Sequence, residues 1–279
     1  MQSSPLSRRL AISTDDLPSL DPLVAVVLEM VSDPETSPSR LAGVLAKDVG
    51  MAARVLKLSN SAYYGHPREI RRIEQAVVVL GFYEIRNLVV ISATFDLVRQ
   101  GENRTLMQDL WEHQLRAAVA AKVLSARLLP AESDLAYLAG LLHDVGKMVL
   151  AMRLPGEYAE IAAETENRPG RAVVRERERF EVDHQEIGGV LLDRWNFPEA
   201  LAGAVRLHHG VLGAEGAAPL GRLVELADIL AHAVVKEEVL EAEEEALARF
   251  AGERRPDWPA WLKEIREQYE RETKAVGGP

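Results

Sequence analysis

Apolar side chains return at helical intervals through most of the chain. Between residues 20 and 30, Leu23, Val26, Val27 and Met30 recur at i, i+3, i+4 and i+7, the stripe of an amphipathic helix. Ser37 followed by Pro38 reads as an N-cap with a first-turn proline, opening a helix through Leu41, Val44 and Leu45. A third helix is predicted from about Met51 to Leu58, stopping at Asn60 and Ser61 ahead of Gly65, His66 and Pro67. The segment 73–98 holds two β-branched runs, Val77-Val78-Val79 and Val89-Val90-Ile91, and each run alone fits a strand as well as a helix. Length, flanks and the lack of alternation or turn signals favour helices over 73–80 and 83–98, separated at Gly81.

The second half repeats the pattern more strongly. An Ala-rich helix is predicted over 106–129, ending at Pro130, and another over 135–154, ending at Pro155. Small side chains in the first let its neighbours approach closely. Asp183 and Glu186 have the spacing of a capping box, with Ile187, Val190, Leu191 and Leu192 following in a helix that ends near Asn196. Pro198 opens a helix that stops at Gly210, and 220–235 is the last strongly apolar helix. No internal repeat is visible. The predicted fold is all-α with two helical lobes.

The break at Gly101, Glu102, Asn103 and Arg104 separates a lobe over 17–100 from one over 105–235. Residues 1–16 are polar and unpatterned, as in a mobile tail, and 236–279 form an acidic helical extension. Glu237, Glu238, Glu241, Glu243, Glu244 and Glu245 read as a solvated helix face. Trp258 and Trp261 suggest a docked terminal helix, with a partner contact as the alternative. No sustained heptad supports a coiled coil.

Composition narrows the chemistry. The chain has 279 residues, no Cys, and 33 Lys+Arg against 43 Asp+Glu, a formal charge of −10. Without Cys there is no thiolate zinc site, thiol nucleophile or thiol redox switch, which fits a reducing cytoplasm. The acidic balance disfavours general binding to nucleic acid or anionic membrane. Uninterrupted apolar runs such as 23–28 and 76–80 are short of a bilayer span, and no signal peptide is visible, so a cytoplasmic protein is expected.

Seven histidines remain to be explained, six of them between residues 113 and 232. His113, His143, Asp144, His184, His208, His209 and Asp228 each fall on a predicted helix or its end. His143 and Asp144 are neighbours in LLHDVGK, about 100° apart on a helix, so they can converge on one ion between them. Imidazole and carboxylate together suit a divalent Zn, Mn, Fe or Ni. Lys147, four residues after His143, can hold an anion such as a phosphate oxygen beside it. Taken singly, His113 also reads as a hydrogen-bonded core residue, His184 as a helix start, and His208 and His209 as a helix C-terminus. Asp228, set among Leu226, Ala227, Ile229 and Leu230, needs a partner in either reading.

The order His113, His143-Asp144, Asp228 resembles the H…HD…D pattern of the HD superfamily of metal-dependent phosphohydrolases. From about residue 17 to 235 the chain is more closely similar to an HDOD domain, through LPSLDP, KDVGMAARVLKLSNSAYYG, QAVVVLGFYEIRNLVV, LWEHQLRAAVAA, LAGLLHDVGKMVL, DHQEIGGVLLDRWNFPEAL and HH. The resemblance implies an HD-like helical bundle in the C-terminal lobe. It also implies an extra N-terminal lobe, 17–98, that binds a partner or covers the site. In related HD-GYP phosphodiesterases further histidines serve the metal centre; these correspond to His184, His208 and His209. The DG…GYP run that follows the double His there is replaced here by HHGVLGAEGAAPLG.

The function implied is a bacterial signal-transduction module acting mainly through protein partners, with an HD-type metal centre retained. The alternative is a metal-dependent phosphohydrolase or cyclic (di)nucleotide phosphodiesterase acting on a small phosphorylated or nucleotide ligand. The seven His and Asp side chains would then bind metal, and Asp144 and Lys147 would serve catalysis. SNSAYYG, 59–65, reads as an interaction or hinge element or as a helix end packing two aromatics. With no receiver or sensor segment before residue 17, a stand-alone HDOD protein is expected.

Overall fold

The computed structural model describes residues 5–7, 12–13, 17–60, 69–166, 168–212, 214, 216–236, 248 and 257–276. The chain divides into two compact units, one of Leu20–Arg99 and Glu267–Pro279, the other of Met1–Ser19 and Gln100–Arg266. Both are helical, and the fold is all-α. The sole strand pairing among the described residues is a short antiparallel one, β1 (Pro5–Ser7) with β2 (Ile12–Ser13), inside the segment expected to be an unpatterned tail.

The first unit begins with three capped helices. Asp21 accepts from Leu23 N and opens α1 (Pro22–Ser32), Ser37 accepts from Arg40 N at α2 (Pro38–Leu45), and Asp48 accepts from Met51 N at α3 (Val49–Ser59). Each side chain satisfies an amide that the first helical turn leaves unpaired. Val27, Leu41, Leu45, Val55, Ala76, Ile85 and Val89 are fully buried in this unit. The Asn60 side chain bonds both Ile70 N and Ile70 O at 2.7 Å, joining the chain across residues 61–69. The Tyr63-Tyr64 and His66-Pro67 part of the hinge or interaction segment lies outside the described residues. α4 (Ile73–Gln100) is broken at Gly81, whose φ of 80° and ψ of 168° suit only glycine, where the sequence separates two helices.

The second unit is a bundle around α5 (Arg104–Leu128), opened by Asn103 accepting from Leu106 N. Ala117, Ala118, Ala120 and Ala121 are fully buried on it. They let α6 (Ser133–Leu142) come so close that a Cβ on Gly140 would stand 2.6 Å from Ala117 O. The expected helix over 135–154 is two helices: α6 ends at Leu142 and α7 (Val145–Arg153) begins after a turn at His143-Asp144. Two short helices absent from the sequence reading follow, α8 (Pro155–Thr165) and α9 (Arg171–Phe180).

Asp183 caps α10 (His184–Arg194) by accepting from Glu186 N at 3.0 Å. α11 (Glu199–Arg206) ends four residues before Gly210, so His208 and His209 lie in a loop instead of on the expected helix. α12 (Pro219–Lys236) completes the core, with Leu223, Val224, Leu226, Ala227 and Leu230 fully buried. In the last helix, α13 (Trp258–Val276), Trp261 lies under the Arg127 guanidinium at 5.2 Å and Glu264 pairs with the same Arg. The terminal helix is thus docked as expected. The acidic stretch 237–245 lies outside the described residues.

By length and composition alone, Ile73–Gln100 and the stretch Leu135–Arg153, which covers α6 and α7, are long and apolar enough to cross a membrane, although no uninterrupted apolar run is. Scattered polar residues hid this. Within the protein 56% and 89% of their apolar windows are buried, so they serve as core helices.

Candidate metal centre

Five structural elements of the bundle deliver the seven sequence-predicted ligands to one buried region. α5 supplies His113, the α6–α7 turn His143 and Asp144, the first residue of α10 His184, the loop after α11 His208 and His209, and α12 Asp228. The turn at His143-Asp144 matters because it releases both side chains from helical spacing. Together the seven residues form two clusters whose donor atoms lie within 4.8 Å of one another: His113, His143 and Asp228; and Asp144, His184, His208 and His209.

Asp144 joins the clusters. Its Oδ2 is 3.2 Å from His143 Nε2 and 3.5 Å from His113 Nε2, on the side of the first cluster. Its Oδ1 is 3.3 Å from His184 Nε2 and 3.5 Å from His208 Nε2, on the side of the second. Asp228 Oδ1 closes the first cluster at 3.0 Å from His113 Nε2 and 3.8 Å from His143 Nε2. Lys147, 1% exposed, places Nζ 2.7 Å from Asp144 Oδ2.

The residues present fit divalent ions. Apart from the Lys147 ammonium at Asp144 Oδ2, the oxygens of Asp144 and Asp228, all buried, find no hydrogen bond of good geometry among the described residues. Such atoms are costly unless a cation or donor meets them. Ring nitrogens also face each other at 3.3 Å: His113 with His143, and His184 with both His208 and His209. Four-coordinate bonds of about 2.0–2.2 Å would place neighbouring donors about 3.4 Å apart, close to the 3.0–3.8 Å between the donors here.

The outward nitrogens are anchored. His143 Nδ1 bonds Gly140 O at 2.8 Å, and His208 Nδ1 bonds Val205 O at 2.7 Å. A carbonyl cannot donate, so each Nδ1 carries the proton and turns Nε2 inward, where it could meet an ion. The loop carrying His208 and His209 is itself held: Glu225 of α12 accepts from Gly210 N, Val211 N and Leu212 N at 2.7–2.8 Å.

The HDOD domain model matches residues 17–211, well over half of the chain. The chain belongs to the HDOD domain family. Among proteins similar to this HDOD chain, an uncharacterized protein of Treponema pallidum (strain Nichols) is 28% identical over 217 residues, 75% of this chain and 41% of that protein. The chain therefore spans less than half the length of that curated relative. A crystal structure from Shewanella amazonensis SB2B, provisionally named a phosphohydrolase, is 26% identical with a TM-score of 0.76 over 97% of this chain and 99% of that one. One from Marinobacter aquaeolei VT8, provisionally named for signal transduction, shares the fold at 22% identity and a TM-score of 0.74, over 94% of this chain and 59% of that one.

Two residues beside these seven carry no signal in the H…HD…D order. His232, one turn after Asp228, sets Nδ1 3.2 Å from Asp228 Oδ1, with its ring 4.4 Å from that of His113. Glu176 of α9 places Oε2 2.6 Å from His184 Nδ1. The i+4 spacing of Asp228 and His232 was a usable clue. For Glu176 the clue was a carboxylate midway in the stripe Ala172, Glu176, Phe180.

Burial divides the histidines of the HDOD domain's site. It pushes His113 down to about 3 and His208 to about 4, and it holds His209 well below its ordinary value. Burial also opposes charge on His143, but the carboxylates of Asp144 and Asp228 override it and raise that ring to about 10. For Asp144 and Asp228 burial alone would raise the carboxyls. Facing His143 and Lys147 in one case, and His113, His143 and His232 in the other, they sit well below the carboxylate range.

These shifts give the metal-free protein a pH dependence with a definite sign. Groups with depressed folded values bind more protons when unfolded, so their stabilisation is present above the unfolded pKa and lost as pH falls. Stability should decline on acidification from about pH 6.5 as the three depressed histidines come into play, and again through the carboxylate range, near 3.8 for Asp. His143 acts oppositely: its contribution is full below 6.5 and is lost as pH rises through about 10. Urea melts in chelator across this range check both limbs, and a flat profile from pH 7 to 4 contradicts the assignment.

Proposed function

We propose that this HDOD domain is a regulatory module whose buried centre holds two divalent ions and hydrolyses a phosphate ester. The observation that carries this reading is Asp144, whose two oxygens each face a separate cluster of ligands. Divalent ions held there supply a Lewis acid for phosphoryl oxygens and acidify water. The chain's own residues fix the geometry. Asp144 joins the pockets, the anchored histidines present Nε2, and the Lys147 ammonium offsets the charge of Asp144 and holds its Oδ2. The substrate class is a small phosphorylated or nucleotide compound, and Fe, Mn, Zn and Ni all suit the donors.

A second reading, action through protein partners of a signalling pathway, has its own support. The loop after the double His lacks the DG…GYP run, and three consecutive amides in it are taken by Glu225. A cytoplasmic location accompanies either reading.

The test is elemental analysis of the purified chain reconstituted with each metal, followed by a panel of cyclic dinucleotides, cyclic mononucleotides and phosphomonoesters. The expected result is two ions per chain and turnover that disappears in His143→Ala and Asp228→Ala. A chain that stays metal-free after reconstitution overturns the metal centre. Two bound ions without turnover across the panel leave partner binding as the function.

A further inference from the structure

α9 is a largely charged helix with half of its residues exposed, yet one of its carboxylates points inward. Ala172, Glu176 and Phe180 form its buried stripe at i, i+4 and i+8, and Glu176 is fully buried. A glutamate in such a stripe is expensive unless its oxygens are fully used. They are. Oε2 accepts from His184 N at 2.9 Å and meets His184 Nδ1 at 2.6 Å, while Oε1 accepts from Tyr158 OH of α8 at 2.9 Å. Tyr158 is itself fully buried, as is His184.

Capping alone does not account for this arrangement. The N-terminus of α10 already has its cap, Asp183, which accepts from Glu186 N. Glu176 instead grips one residue by backbone and ring together, and Tyr158 holds the other carboxylate oxygen. A ring fixed through Nδ1 keeps that proton, and its Nε2 is left facing Asp144 Oδ1 at 3.3 Å and the Nε2 atoms of His208 and His209. His143 and His208 are anchored by neutral carbonyls; His184 alone among the three is anchored by a carboxylate. A carboxylate partner fixes ring orientation and raises the basicity of the coordinating nitrogen.

We infer that Glu176, braced by Tyr158, is a positioning residue that sets His184 as the Nε2 ligand of the second ion pocket, so that α8 and α9 exist in part to build that pocket. The inference rests on the two-ion reading above, but it has a readout that needs no metal. In 15N-labelled, metal-free protein the His184 ring should be held with the proton on Nδ1. Glu176→Gln should shift its ring nitrogens toward a mixed tautomer while leaving those of His143 unchanged.

Titration with Co2+ alone, read by visible absorption and bound cobalt, gives the second readout. Wild type should take two ions, and Glu176→Gln should weaken one binding event by about 10–100-fold while sparing the other. His184→Ala, which removes a ligand of the second pocket, marks which event is affected. Tyr158→Phe keeps the carboxylate and should move both readouts in the same direction by less, providing the measurement if Glu176→Gln does not fold. Unchanged His184 nitrogens with both Co2+ ions bound as in wild type overturn the inference. Equal weakening of both ions also overturns it, because that is a general structural effect. Wild type that takes no Co2+ overturns the two-ion reading, and the ring nitrogens then decide the positioning role by themselves.

Discussion

Asp144→Asn is expected to empty one pocket and weaken the other, taking bound metal from two per chain to at most one. Asparagine keeps the size and shape of the side chain but loses the charge and one acceptor oxygen. Whichever way its amide turns, an NH2 group faces one of the two pockets, where Oδ1 and Oδ2 now stand 3.2–3.5 Å from four imidazole nitrogens. The same change leaves the Lys147 ammonium, 1% exposed, without the carboxylate beside it. Breaking a buried pair from one side costs about 3–5 kcal/mol. At about 2–4 °C per kcal/mol the metal-free Tm should fall by roughly 10 °C. Asp228→Asn is the informative contrast, since Asp228 Oδ1 belongs to the first cluster, and one ion should remain. Two ions bound by Asp144→Asn as tightly as by wild type would show that Asp144 does not bridge.

Gly146→Ala should be nearly as damaging, for a purely steric reason. A Cβ at that position would stand 2.0 Å from His184 O, 2.8 Å from its carbonyl carbon and 2.9 Å from its Cα. All three obstacles are backbone atoms, so no side chain can swing aside. α7 and α10 have to separate by more than an ångström, which carries His184 away from Asp144. Overpacking of this kind costs about 1–3 kcal/mol or more, and the second ion should be lost before the first. Gly156 of α8, with nothing within 4 Å of an added Cβ, is the control. There alanine should leave metal content unchanged and stabilise slightly, by about 0.4–1 kcal/mol. A Gly146→Ala chain that melts like wild type would mean that the two helices are not in the close contact described.

Much of this was legible in the sequence wherever one residue type does one physical job. Ser37 and Asp183 cap the helices they were expected to cap, and Gly81 interrupts α4 with a backbone conformation open to glycine. The ordered His and Asp residues converge. What was missed lacks such markers. α8 and α9 end on left-handed Glu166 and Glu181 in place of a glycine, and only three residues of α9 face inward. The turn between α6 and α7 contains neither Gly nor Pro, and the apolar pattern runs unbroken on both sides. The glycine after the double His marks a loop with φ of 78° instead of a helix end, because α11 has already stopped at Arg206. Glu176 is hard to single out for the same reason that it is informative: a charged residue in a charged segment shows its direction only once the helix is folded.

The carboxylate of Glu225 has a mechanical consequence. By holding three successive amides next to the double histidine, it makes that loop ride on α12 as a single piece, three residues from Asp228. α12 thus carries Asp228 of one cluster and holds the loop that carries two histidines of the other. A small slide or roll of that helix would draw Asp228 out of one and His208 with His209 out of the other. The pockets would then open together, by one motion.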